Sequence, residues 1–163
     1  MNRKSLLLSA IALGVLLLGI AGCQSTATLY QGKLVAPEDV IPIPGGVQNE
    51  TWSTSDLTLR YGYQENGNNL HITGQVDIAD QYSEIYDKLS RLDIYLVFLD
   101  HNTRILATAV LLRNQTYSFD ETISFDTQLF IPPGAVAFSF AYDGTALEFE
   151  KRRTPISFWH HPK

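Results

Sequence analysis

From Trp52 onward, apolar and polar residues alternate with a period of two, the pattern of strands that bury one face. Leu57, Leu59, Tyr61 and Tyr63 alternate with Thr58, Arg60, Gly62 and Gln64, and Leu70, Ile72, Val76 and Ile78 alternate with polar residues. Asn66-Gly67 lies between these runs and predicts a hairpin, because the tight turn needs positive φ. Ile94–Leu99 and Ile105–Leu112 are nearly continuous in apolar residues, as expected of strands inside a sheet or between packed layers. Asp100-His101-Asn102-Thr103 separates them as a second hairpin turn. Tyr117–Phe119, Ile123–Phe125 and Leu129–Ile131 continue the strand chemistry up to a sharp turn at Pro132-Pro133-Gly134. Val136, Phe138, Phe140 and Tyr142 then form the cleanest alternating face in the chain. Asp143-Gly144 predicts a type I′ hairpin turn with Ala146–Phe149 returning beside it, and Ile156-Ser157-Phe158-Trp159 predicts a last strand.

One segment breaks the alternation. Across Asp80–Leu92, Tyr82, Ile85, Tyr86, Leu89 and Leu92 fall at spacings of three and four. A short amphipathic helix and a long loop with buried tyrosines both fit. Several short strands with turn signals between them predict an all-β, antiparallel sandwich over residues 51–163, and no fixed-period repeat suggests a propeller or solenoid.

The N-terminal third follows another pattern. Residues 1–22 contain Arg3 and Lys4, no acid, and the apolar run from Leu6 to Gly22. A positive segment followed by an apolar one is a secretory signal. An uncleaved transmembrane anchor is the alternative, since the 17 residues from Leu6 to Gly22 sit at the short end of the spanning range. Gln24–Glu50 contains Gly32, Pro37, Pro42, Pro44, Gly45 and Gly46 among isolated aliphatics, and is expected to be a flexible tether completing a 23–50 linker. A competing reading pairs Val40–Ile43 as an edge strand.

Composition narrows the function classes. Of 163 residues, 12 are Lys or Arg and 17 are Asp or Glu; without residues 1–22 the basic count falls to 10 and the formal charge moves from −5 to −7. That acidic balance gives no support to nucleic-acid binding. The single cysteine, Cys23, excludes an intramolecular disulfide framework and a multi-cysteine zinc site.

The apolar run ends in Ile20-Ala21-Gly22-Cys23, which resembles the lipobox of bacterial lipoproteins: an aliphatic residue, two small residues and cysteine. The resemblance implies that Cys23 becomes the lipidated first residue of the mature chain and attaches it to a membrane. Residue 24 is Gln rather than the aspartate that resembles an inner-membrane retention signal of enteric bacteria, which, for a source with two membranes, implies the outer one; a periplasm-facing position is the expectation. A second resemblance covers about Leu57–Tyr142. Gly74-Gln75-Val76, Leu96-Val97-Phe98-Leu99-Asp100, Ile105-Leu106, Ile131-Pro132-Pro133-Gly134 and Phe138 look like the FxLYD domains, small immunoglobulin-like sandwiches. It departs from them at the Asp80–Leu92 insertion and at Phe98-Leu99-Asp100, where the pattern has a tyrosine before the aspartate. It implies an immunoglobulin-like fold and lends no catalytic residue.

Candidate chemistry is sparse. His71 falls on an outward strand face and His101 in a turn, where solvated roles are expected. His160 and His161 are adjacent, and on an extended chain neighbours point to opposite faces, so they do not chelate as a pair. No His-Glu-x-x-His helix, nucleophile elbow or phosphate-binding glycine loop is present. No catalytic residue, metal site or cofactor is therefore expected. Lys151-Arg152-Arg153 could touch lipid headgroups, although Glu148 and Glu150 favour a solvated strand edge. Trp52, Phe158 and Trp159 are candidate interaction residues, because aromatic side chains anchor interfaces and stack on sugars. The expectation is a lipid-anchored, non-enzymatic envelope module with a protein partner. A carbohydrate- or peptidoglycan-binding module is the alternative, and an envelope hydrolase a more distant one.

Overall fold

A computed structural model describes residues 28–113, 116–148 and 154–163. The expected signal segment, Cys23, Asn114-Gln115 and residues 149–153, which include Lys151-Arg152-Arg153, lie outside the described residues. Ten strands run in chain order: β1 (Ile41–Pro42), β2 (Val47–Ser53), β3 (Leu57–Asn66), β4 (Asn69–Ile78), β5 (Lys88–Leu99), β6 (Ile105–Leu112), β7 (Tyr117–Ser118), β8 (Ile123–Phe130), β9 (Ala137–Leu147) and β10 (Ile156–His160). They form two antiparallel sheets, one of four strands in the order β2-β3-β4-β8, and one of six. In the six-stranded sheet β9 and β5 are central. β1 and β10 share the outer edge of β9, pairing with its beginning and its end, while β6 and β7 divide the outer edge of β5 in the same way.

The chain crosses between sheets from β4 to β5, returns with β8 to pair β4, and crosses again with β9 to pair β5. These crossings give a Greek-key sandwich with the immunoglobulin-like strand order. Leu59, Tyr61, Leu70, Ile72 and Phe125 from one sheet meet Leu92, Ile94, Leu96, Phe138 and Phe140 from the other in one core.

Turn chemistry fixes the registers. The β3–β4 hairpin pairs Asn66 with Asn69, so its two-residue loop is Gly67-Asn68, with Gly67 at φ 61°. Glycine at the first central position suits a type II′ turn, one step along from the expected Asn-Gly pair. In the β5–β6 turn, Asp100 Oδ1 accepts the backbone N–H of Asn102 and of Arg104 at 2.8 and 3.0 Å. Thr54 Oγ1 does the same before β3, accepting from the N–H of Asp56 and Leu57.

Several expectations are corrected. The Asp80–Leu92 segment holds a single helical turn, α1 (Asp80–Ser83), and its last five residues belong to β5. A register shift between Leu89 and Arg91 brings Leu89 and Leu92 to the same face, so a β-bulge produces the three-residue spacing that resembles a helix. Asp143-Gly144 is no turn: both residues lie within β9, opposite Asp93 and Leu92 of β5. The ring of Phe158 occupies the space that a Cβ at residue 144 would need, so this glycine serves packing. The partner returning along β9 is β10, not Ala146–Phe149. β5 is buried on both faces from Leu92 to Leu99, as the apolar run Ile94–Leu99 predicts, whereas β6 is an edge strand and only partly covered.

The expected tether is also corrected from Thr28 on. Val35 packs with Val97, Leu99, Ile105 and Ala137 on the outer side of the six-stranded sheet. Ile43 is fully inside the main core, and Ile41-Pro42 forms β1, which is the edge-strand alternative. Isolated aliphatics in a proline-rich stretch act here as docking points. The Tyr63 hydroxyl donates to the Pro42 carbonyl and fixes that crossing.

Candidate functional site

The three aromatic candidates separate sharply. Trp52 is 7% exposed; its ring lies 5.4 Å from Phe140 and 5.2 Å from His160, and its Nε1 is buried without a hydrogen-bond partner. Phe158 is buried against Tyr82, ring centroids 4.6 Å apart. These two belong to the core, because Trp52 pairs with Leu59 and Phe158 with Gly144, both on the inward face. Trp159 alone is open, at 60% exposure, beside Asp143 on the outer face. Cys23 lies outside the described residues.

Sequence reasoning missed the two outer faces as units. On the four-stranded sheet the outward positions are polar along most of each strand, with Thr51, Arg60, Gln64, His71, Thr73, Gln75, Ser124 and Asp126 all exposed. Arg60 binds Asp77 at 2.6 Å, and His71 Nε2 lies 2.7 Å from Asp126 Oδ1. Shallow grooves run together over this face. One of about 500 Å³ is lined by Thr51, Gly62, Thr73, Gln75 and Ser124, and shares Asn49, Gly62 and Thr73 with the next, which reaches Gln64 and His71. Gly62 removes a side chain from the middle of the face. Opposite it, β2 shifts register between Val47 and Glu50, with Asn49 at φ 60°. Bulges and strand glycines of this kind re-aim side chains and open the sheet surface to close approach.

The outer face of the six-stranded sheet is built differently. Asp93 and Asp143 stand directly opposite each other across β5 and β9. Like charges so placed repel, and each has a cationic or protonatable neighbour. Arg91 Nε donates to Asp93 Oδ2 at 2.7 Å, and its Nη2 binds the same oxygen; His161 Nε2 lies 2.8 Å from Asp143 Oδ1. Asp93 is 3% exposed, so Arg91 partners a buried carboxylate, and that hydrogen bond raises the Arg91 pKa. Tyr30 packs against Tyr95 and His161. Burial first, then Asp143, raises the Tyr30 pKa; burial and then Asp93 raise that of Tyr95.

Residues 28–35 and 161–163 meet on this face. Leu34 exchanges backbone hydrogen bonds with Lys163 at 2.9 and 3.1 Å, and Gly32 and Lys33 pair with Ile105. Adjacent His160 and His161 indeed address different carboxylates, Asp39 at 3.5 Å and Asp143. A third polar cluster closes one end of the sandwich: the Tyr82 and Tyr142 hydroxyls each donate to Asp56 at 2.8 Å, and Thr54 Oγ1 lies 2.6 Å from the Tyr142 hydroxyl. Burial is the leading cause of the raised pKa of both tyrosines.

Among the described residues, no group of three or more His, Cys, Asp or Glu side chains is placed to hold a metal ion. No helix among them is long and apolar enough to cross a membrane. No protein-family model, curated protein or solved structure matches the chain.

Proposed function

We propose that this chain is a lipid-anchored, non-enzymatic module of the bacterial cell envelope, held on the periplasmic side of the outer membrane through Cys23, and that it binds a protein partner through the outer face of its four-stranded sheet. The observation that carries the reading is the organisation of that face. It is broad, shallow and polar, and its charged side chains have partners: Arg60 binds Asp77, and Asp126 lies beside the His71 imidazole. Such a surface suits recognition by shape and hydrogen bonding. The lipobox Ile20-Ala21-Gly22-Cys23 supports the anchor.

The experiment is co-purification from mildly solubilised envelopes, comparing the parent protein with a Thr73→Arg, Gln75→Arg variant. The reading expects a stoichiometric partner with the parent and its loss from the folded variant. Repeated recovery of the parent alone contradicts it. The carbohydrate reading has one observation in its favour: the amides and hydroxyls of Asn49, Thr51, Thr73 and Gln75 around Gly62 match the hydrogen-bonding needs of a neutral glycan strand. A sacculus pull-down lost in the same variant would support it. Trp52 is not usable as the probe, since its ring is in the core.

A further inference from the structure

The described chain begins on one particular face. Thr108 Oγ1 donates to the Leu29 carbonyl, Tyr30 packs on Tyr95, and the Gly32 N–H donates to Ile105. Thr28 therefore enters over the outer face of the six-stranded sheet. From Cys23 to Thr28 is five Cα steps, which at ~3.3–3.6 Å each reach roughly 18 Å at most. An acyl group on Cys23 would thus hold this face close to the headgroups. The longer linker expected from sequence would have left orientation free.

On the strands themselves the two sheets differ in charge. Among the described residues, the strands of the six-stranded sheet carry Lys88 and Arg91 against Asp93 and Asp143, and Arg60 is the basic residue on the strands of the other sheet. The four-stranded sheet carries Glu50, Glu65, Asp77 and Asp126. Arg91 and Arg113 line a groove with Tyr95 and Asp93, and Asp93 is buried beneath its bond to Arg91. Arg113 is exposed there. Trp159 projects from the same face, and an indole suits the headgroup region, where one part of the ring is apolar and the N–H remains wet. Basic side chains within a Debye length of an anionic leaflet are attracted to it.

We propose that the outer face of the six-stranded sheet, around Arg91, Arg113 and Trp159, rests on an anionic lipid bilayer and directs the four-stranded face away from the membrane. The proposal rests on the acylation of Cys23. Its test uses the full-length acylated protein in phosphatidylethanolamine–phosphatidylglycerol vesicles, with an environment-sensitive fluorophore on Arg113→Cys or Thr73→Cys. Cys23 is the sole native cysteine and its thiol is capped as a diacylglyceryl thioether in the lipidated protein, so labelling is confined to the introduced site. A headgroup-bound quencher should dim the label at position 113 severalfold more than the label at position 73. Equal quenching, or stronger quenching at 73, overturns the assignment. Trp159 gives a second measurement without a label, because Trp52 is buried: bromolipid quenching should be present in the parent and lost in Trp159→Phe. Absence of quenching in the parent overturns the proposal. Mass analysis of the same sample keeps the underlying reading separate. An unmodified Cys23 defeats the anchor and the orientation with it, whereas an acylated chain with no difference between the labels defeats the orientation alone.

Discussion

The two outer faces of the sandwich are made by similar strands and covered differently. On the six-stranded sheet, outward residues are covered: Val97, Leu99 and Ile105 lie under Val35 and Val40, and Asp93 lies under its bond to Arg91. On the four-stranded sheet, outward residues are bare, and Thr73, Gln75 and Ser124 meet solvent. Covering one face with residues 28–40 and 161–163 makes that face part of the fold. Leaving the other bare makes its residues replaceable without cost to the fold, and so available for recognition. Stability and binding should therefore separate by face.

The largest expected effect lies where the six-stranded sheet closes. Phe158→Ala removes a buried ring that packs on Tyr82 and Gly144, and should cost about 3–5 kcal/mol in denaturant unfolding. Trp159→Ala, one residue on, should change stability by no more than about 0.5 kcal/mol. A similar loss in both variants would show that β10 does not alternate as described.

Next comes the covered outer face. Val35→Ala removes two methyl groups between the N-terminal segment and β5, and should cost about 1.5–2 kcal/mol. If residues 28–40 were a free tether, this substitution would leave the unfolding midpoint unmoved.

Alkaline pH should act on the buried phenols. The Tyr61 pKa is raised to about 12, by burial first and then by Glu50 and Tyr63. The unfolded chain ionises its tyrosines near ~10. Below that pH both states are protonated and the contribution to stability is fully present; it is lost as pH rises from about 10 through the folded value of about 12. Thermal midpoints should fall across this window, with tyrosinate absorbance appearing together with unfolding. Tyrosinate absorbance from Tyr61 at pH 10, in protein still folded by circular dichroism, would contradict its burial.

The smallest effect on stability belongs to the bare face. Thr73→Ala and Gln75→Ala should stay within about 0.5 kcal/mol of the parent while weakening partner capture. Unchanged capture in both would move the binding surface elsewhere.

How much of this was legible in the sequence depended on whether a local signal had a local cause. The β3–β4 hairpin was legible because the alternation and the turn glycine, Gly67, both arise within the hairpin itself. Asp143-Gly144 carries the same turn signal, but its glycine answers to Phe158, fourteen positions further along the chain. The bulge between Leu89 and Arg91 turned a strand into an apparent helix. Residues 28–50 look like linker because three prolines and three glycines interrupt them; their hold on the domain comes from Val35 and Ile43, whose pockets are built by distant strands. The site suffered most. Trp52 and Phe158 were plausible contacts until strand phase put them inside, and the polar face emerges only when four strands are set side by side.

The most direct test of the division between the faces is photo-crosslinking in living cells, with a photoreactive residue at Thr73 or at Arg113. The account predicts a discrete protein adduct from position 73, with lipid adducts and no discrete protein adduct from position 113. A protein adduct from position 113 with none from position 73 would contradict it.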